Sequence, residues 1–186
     1  MLDSGKREED GIPGLVYRRD GQIVVNAPRP FLDVNSLPPP AYGLFPLKKY
    51  RLQPTVYKRE PTFTTLVSRG CPYSCSFCHG FEVLGRKVRY RAVAGAIEEL
   101  KLLVKDFGAK GFMFYDSTFT FDQAWVVRFC EEILRNRLDF TWMCLSRTDS
   151  VSEELLTLMH RAGCWGISFG VESASQKSLD LLKKGT

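Results

Sequence analysis

The sequence predicts an α/β fold in which helices pack on a parallel sheet. Three observations carry that expectation. Strand-like and helix-like segments alternate four times after residue 60, and such alternation makes parallel strands joined by right-handed crossovers. "GFMFYDS" at 111–117 is a continuous apolar run of buried-strand length. After it, Val126, Phe129, Cys130, Ile133 and Leu134 recur at helical spacing and make one apolar face. Pattern alone leaves open whether the sheet is open or barrel-like.

The elements follow in chain order. "LVYRRDGQIVVN" at 15–26 is two short β-rich runs around Asp20-Gly21, a hairpin signal. The next stretch carries prolines at 28, 30, 38, 39, 40 and 46, which cannot donate to a helix or central strand, so it reads as an extended linker. "FTTLVSR" at 63–69 is the first strand of the α/β part, and "AVAGAIEELKLLVKDFG" is the first long helix, ended by Gly108. After the strand at 111–117, "TFDQ" at 120–123 has the form of a capping box. "FTWMCLSR" at 140–147 is the third strand. Ser152, Glu153 and Glu154 then open a helix with Leu155, Leu156 and Met159 inward. "CWGISFG" at 164–170 is the fourth strand, and "SQKSLDLLKK" the last helix.

Composition bounds the function. The 186 residues are 44% hydrophobic and carry a net charge of +5, enough apolar material for one sizeable core. The charges are scattered, which gives nucleic-acid binding no support. "MLDSGKREED" is charged where a secretory signal would be apolar, and no apolar run approaches the roughly 20 residues that cross a bilayer. A cytoplasmic protein without a membrane partner is expected. In that reducing setting, six cysteines suggest metal ligands, catalytic groups or packing residues rather than disulfides.

Three of them stand in "RGCPYSCSFCHG" as Cys71, Cys75 and Cys78, spaced C-x3-C-x2-C directly after the first strand. A structural zinc site wants four ligands, and neighbouring His79 is badly placed to share the same metal. Three thiolates on one loop suit an iron-sulfur centre better. In an α/β fold the chemistry belongs at the carboxyl ends of the strands. Asp116, Arg147 and Glu172 each fall at or just after such an end, so with the cysteine loop four polar groups are expected on one rim. Each also has a plain structural reading: Asp116 and Glu172 as caps, Arg147 paired with a nearby acid. Cys130, Cys144 and Cys164 read as buried packing residues, and His79 and His160 as structural or exposed.

"CPYSCSFC", "FYDSTFTFD", "SRTDSVSEELLTLMHRAGC" and "GVESASQKSLDLLKKGT" together resemble the radical S-adenosylmethionine (radical SAM) enzymes. More narrowly, they look like the branch that carries a cobalamin-binding domain before its barrel. The resemblance implies a partial (βα)6 TIM-like barrel with four βα units present, covering residues 61–186 and truncated at the C-terminus. Residues 1–60 would be the hairpin and linker left from the cobalamin domain. It implies a 4Fe-4S cluster on Cys71, Cys75 and Cys78 whose fourth iron takes S-adenosylmethionine, with reductive cleavage to a 5'-deoxyadenosyl radical. Methyl transfer or cyclisation on a carbon skeleton of a small metabolite would follow, and a flavodoxin- or ferredoxin-type donor would supply the electron.

The same resemblance puts Phe77 near the adenine, Asp116 near the amino group of the methionine moiety and Glu172 on the nucleoside or methionyl part. Ser117 stands where family members often have a second acid. Arg147 has the planar fork to hold the cofactor carboxylate. The family's Asp-x-His-x-x-Gly cobalamin motif is absent around His79 and His160, so cobalamin is expected in a longer protein and not on this chain. A four-strand barrel would also leave the last strand with an unpaired edge, prone to association. The residues alone keep a second class in view, a non-catalytic iron-sulfur or zinc module or an inactive gene fragment.

Overall fold

The computed structural model describes residues 9–186, apart from the side chains of Asp10 and Lys48. Residues 1–8, the start of the charged N-terminal stretch, lie outside the described residues. Contacts divide the chain into a unit ending at Leu32 and a unit from Asp33 to Thr186.

The first unit is the expected hairpin, β1 (Val16–Arg19) antiparallel to β2 (Gln22–Val25). Asp20 and Gly21 turn it with φ of 50° and 80°. That left-handed pair matches the twist of a two-residue hairpin, in a region that aspartate tolerates and glycine adopts freely. Arg18 closes the turn by donating to the Gly21 carbonyl at 2.6 Å.

The second unit contains β3 (Thr62–Thr65), β4 (Ser68–Arg69), α1 (Gly80–Leu84), β5 (Arg89–Tyr90), α2 (Val93–Phe107) and β6 (Gly111–Phe114). It continues with α3 (Gln123–Arg135), β7 (Thr141–Ser146), α4 (Glu153–Arg161), β8 (Cys164–Phe169) and α5 (Gln176–Leu181). The main sheet has the order β3-β6-β7-β8, every pair parallel. This is the four-unit, partial TIM-like barrel arrangement. No helix among the described residues is long and apolar enough to cross a membrane.

Alternation along β7 shows how the sheet is covered. Trp142, Cys144 and Ser146 are buried while Thr141, Met143 and Leu145 between them are half-buried, so the two faces meet different neighbours. Phe112, Phe114, Phe119, Phe129 and Trp142 form the centre of the core. Phe114 meets Trp142 edge-on at 5.6 Å, and Trp125 stacks on Phe129 at 5.0 Å. Burying one such side chain contributes roughly 1.5–3 kcal/mol.

Four local expectations are corrected. The strand expected over 63–69 splits into β3 and β4, because the Val67 and Ser68 amides donate to the Asp116 carboxylate instead of continuing the ladder with β6. The N-cap of α3 is Asp122, which accepts from the Trp125 amide at 2.9 Å, while Thr120 turns inward to bond Ser146 and Ser150. On α4, Leu155 and Met159 are buried but Leu156 is exposed, since it points about 100° away from Leu155 on the helical wheel. The last helix stops at Leu181, and Lys183 adopts φ of 51° so that the chain turns back.

The proline-rich stretch after Asp33 is tied to α2. Val34 is buried, the Asn35 side chain accepts from the Ala92 amide at 2.6 Å, and the Tyr42 hydroxyl donates to Glu99. Glu99 also pairs with Arg91, so this buried carboxylate has the partners burial demands. Burial and the Glu99 carboxylate together push the Tyr42 phenol well above its usual range.

Candidate active site

The cysteine loop leaves β4 through Gly70, whose φ is 109°. A Cβ there would lie 2.3 Å from the Lys87 carbonyl oxygen, so glycine is required where the loop passes the turn before β5. The loop is then pinned at several points. The Cys71 amide donates to Gly85 at 2.9 Å, the Ser76 amide to Leu182 at 2.9 Å and the Cys78 amide to Cys75 at 3.1 Å. The Gly80 amide donates to Cys78 Sγ at 3.3 Å.

All three cysteines line one open cavity of about 340 Å3. Its other walls come from the carboxyl ends of three successive strands: Ser117 after β6, Ser146 and Arg147 at the end of β7, and Phe169 and Gly170 at the end of β8. The expected convergence of loops on one rim is therefore present. No fourth cysteine or histidine is among the described residues that line it. His79 is exposed and pairs with Glu82 at 3.0 Å. Nor do any three His, Cys, Asp or Glu side chains among the described residues already converge as for a single metal ion. Three soft donors on one loop, facing open space with no fourth, fit a cluster with one exchangeable iron better than a closed tetrahedral zinc site.

The structure brings Phe77, Arg147 and Glu172 to this cavity and leaves Asp116 outside its lining. Asp116 is buried behind the rim, where its carboxylate accepts from the amides of Val67 and Ser68 and from the Ser68 hydroxyl. Burial raises its pKa to about 6, against the pull of those hydrogen bonds. Its oxygens are occupied in aiming the strand that launches the cysteine loop, and that is the physical reason they do not face a ligand.

Arg147 is 4% exposed. Its Nε and Nη2 fork onto Asp149 at 2.9 and 2.7 Å, and Nη2 also reaches the Gly185 carbonyl at 3.2 Å. This bond to Arg147 holds the Asp149 carboxyl below its usual range. The guanidinium lies 3.7 Å from the centre of the Tyr73 ring, a cation–π distance.

Glu172 follows β8 with φ of 62°. Its carboxylate accepts from Lys184 at 3.2 Å, and its side chain is 32% exposed against 7% for the lysine. A Cβ at Gly170 would lie 2.7 Å from Glu172 Oε1 and 2.9 Å from Lys184 Nζ, so glycine makes room for the pair. Lys184 Nζ lies 6.0 Å from the centre of the Phe77 ring.

Sequence reasoning missed Tyr73 and Lys184. Tyr73 lay in plain view between Cys71 and Cys75, where a ring on the cysteine loop is a signal in itself. Lys184 reads as the solvated end of a helix, and only the turn at Lys183 brings it inside. The hydroxyl group of Thr120, Ser146 and Ser150 was missed as well. Ser150 Oγ donates to the Arg147 carbonyl at 2.9 Å and so fixes the backbone beside the cavity.

The other three cysteines are buried, as their apolar settings suggested. Burial pushes the Cys130 thiol up to about 12. A hydrogen bond with Cys164, followed by burial, pushes Cys144 well above its ordinary value.

The family model of the Radical SAM superfamily matches residues 65–186. The chain is 34% identical over 180 residues to an uncharacterized methyltransferase of Pyrococcus horikoshii, a match covering 96% of this chain and 38% of that protein. It is 30% identical over 192 residues to an anaerobic magnesium-protoporphyrin IX monomethyl ester cyclase of Rubrivivax gelatinosus, covering 100% of this chain and 34% of the cyclase. Among solved structures, the radical S-adenosylmethionine methyltransferase TsrM of Kitasatospora setae, with cobalamin and a [4Fe-4S] cluster bound, superposes with a TM-score of 0.60. Identity is 25%, over 63% of this chain and 24% of TsrM. The cobalamin-dependent S-adenosylmethionine radical enzyme OxsB shares the fold with a TM-score of 0.70 at 21% identity, over 97% of this chain and 27% of OxsB. The chain spans 38% and 34% of the lengths of the two curated relatives.

Proposed function

This chain belongs to the radical SAM superfamily, and from that premise we propose that it is the cofactor-binding part of an enzyme that starts radical chemistry on a small metabolite. One observation carries the reading: three thiols of a single loop open on the strand-end cavity, and no fourth cysteine or histidine lines it among the described residues. Cys71, Cys75 and Cys78 would hold a 4Fe-4S cluster. That group supplies one-electron reductive cleavage of S-adenosylmethionine to methionine and a 5'-deoxyadenosyl radical.

The protein's own residues bind, orient and shield. Phe77, 47% exposed at the cavity mouth, offers a ring face to an adenine. Glu172 and Lys184 present a carboxylate and an ammonium to the polar end of the cofactor, which carries both an amine and a carboxylate. Phe169 and Leu145 line the same space and keep water from the reacting centre. Asp116 acts through the backbone it holds, and Arg147 through its charge, because its fork is taken by Asp149 and Gly185.

Methyl transfer or cyclisation on a carbon skeleton is the reading for the whole protein, supported by relatives of both kinds. Cobalamin belongs to that longer protein, with residues 1–60 as the end of the domain that holds it. A flavodoxin- or ferredoxin-type donor supplies the electron. Six free cysteines suit a reducing compartment, and the cytoplasm is our proposed location.

Anaerobic reconstitution tests the reading through metal content. Four irons and four sulfides per chain are expected. One tightly held zinc per chain, with iron excluded, would contradict it.

A further inference from the structure

We propose that Arg147, fixed by Asp149 and Tyr73, tunes the cluster by holding a buried positive charge against the cysteine loop, so that the cluster accepts an electron more readily. The inference rests on the cluster reading above. Arg147 and Cys75 line the same cavity and lie close enough to interact electrostatically.

The guanidinium is fixed from three sides. Asp149 grips Nε and Nη2, the Gly185 carbonyl takes a further bond from Nη2, and the Tyr73 ring covers its face at 3.7 Å. Tyr73 lies between Cys71 and Cys75, so the charge is attached to the ligand loop itself.

The pair with Asp149 cancels this charge only in part. The Arg147 side chain is 4% exposed and that of Asp149 is 36% exposed, so solvent screens the anion more than the cation. Lys184 and Glu172 repeat the arrangement, with 7% and 32%. Each buried cation also faces an aromatic ring of the cysteine loop, Arg147 at Tyr73 and Lys184 at Phe77. The two most deeply buried charges that line the cavity are therefore both cations. One-electron reduction adds a negative charge to the cluster, and a fixed positive charge nearby favours the reduced state.

The test is a redox titration of the reconstituted full chain, poised with dithionite and followed by the electron paramagnetic resonance (EPR) signal of the reduced cluster. Arg147→Gln should shift the oxidised-to-reduced ratio at a given poise about tenfold toward oxidised, a midpoint about 59 mV more negative for a one-electron couple. Asp149→Asn should move the midpoint the opposite way, and Arg147→Lys should restore it to near the parent value. A merely structural Arg147 would lower iron content in both Arg147 variants and leave the midpoint of the remaining clusters unchanged, which overturns the proposal. If Arg147→Gln fails to hold a cluster, Asp149→Asn decides: a midpoint equal to or below the parent's overturns it. Failure of the unmutated chain to take up a cluster at all would instead defeat the cluster reading.

Discussion

The cysteine loop and the layer between sheet and helices hold three cysteines each, and the two sets differ in access to the strand-end cavity and in their polar neighbours. Cys71, Cys75 and Cys78 open on a cavity, Cys78 receives an amide hydrogen bond, and Cys75 lies near the Arg147 cation. Cys130, Cys144 and Cys164 are packed under helices, where burial raises the Cys130 thiol and a hydrogen bond with Cys164, then burial, raises Cys144. A metal takes thiolate, not thiol. The difference teaches that location in the fold, rather than residue type, decides which sulfurs are available to iron.

The strongest way to break this contrast is to exchange the roles by mutation. Cys71→Ala, Cys75→Ala and Cys78→Ala should each abolish iron binding, whereas Cys130→Ala, Cys144→Ala and Cys164→Ala should keep the parent iron content and visible absorption. Loss of iron in any of the second group as complete as in Cys75→Ala would end the distinction.

A smaller effect concerns the residue that aims the loop. The Asp116 carboxyl titrates at about 6 when folded and near 3.8 when free. Between those values the folded chain keeps a proton that the unfolded chain has released, so stability falls as pH rises through that window. The fall attributable to Asp116 is roughly 3 kcal/mol. Denaturant titrations of the apo chain from pH 4 to pH 7 should show a flatter profile for Asp116→Asn than for the parent. Identical profiles would mean that this carboxyl is not the buried acid the loop depends on.

At the cavity, Glu172→Gln in cluster-loaded protein should weaken S-adenosylmethionine binding about tenfold, near 1.4 kcal/mol. The partial exposure of Glu172 keeps the effect at the low end for a charged hydrogen bond. Equilibrium binding measured anaerobically checks it, and unchanged affinity removes Glu172 from the site. Smallest of all, Cys130→Ala should cost roughly 1 kcal/mol of stability, readable as a lower denaturation midpoint with unchanged iron.

Periodicity made the βα alternation legible, because Val126, Phe129 and Ile133 face the core whatever lies around them. The cysteine loop was legible for a similar reason: three cysteines within eight residues stand out by spacing alone. What escaped depended on partners far along the chain. The break between β3 and β4 is caused by Asp116, nearly fifty residues later. Thr120 looked like a cap but found Ser146 and Ser150 across the fold, while Asp122, two positions on, took the amide. Lys184 became part of the site only because a left-handed residue turns the chain back after α5. Asp116 and Arg147 were placed near the site by strand-end logic. Which atoms they bond was set by neighbours that no local window contains.

The central claim is that Cys71, Cys75 and Cys78 hold a cluster with one iron left for an exchangeable ligand. The direct measurement is the EPR spectrum of the reconstituted, dithionite-reduced chain before and after addition of S-adenosylmethionine. The account predicts a cluster signal whose g-values and line shape change on addition, with the change lost on washing the cofactor out. A cluster signal that S-adenosylmethionine leaves untouched, with four protein ligands retained, would contradict it.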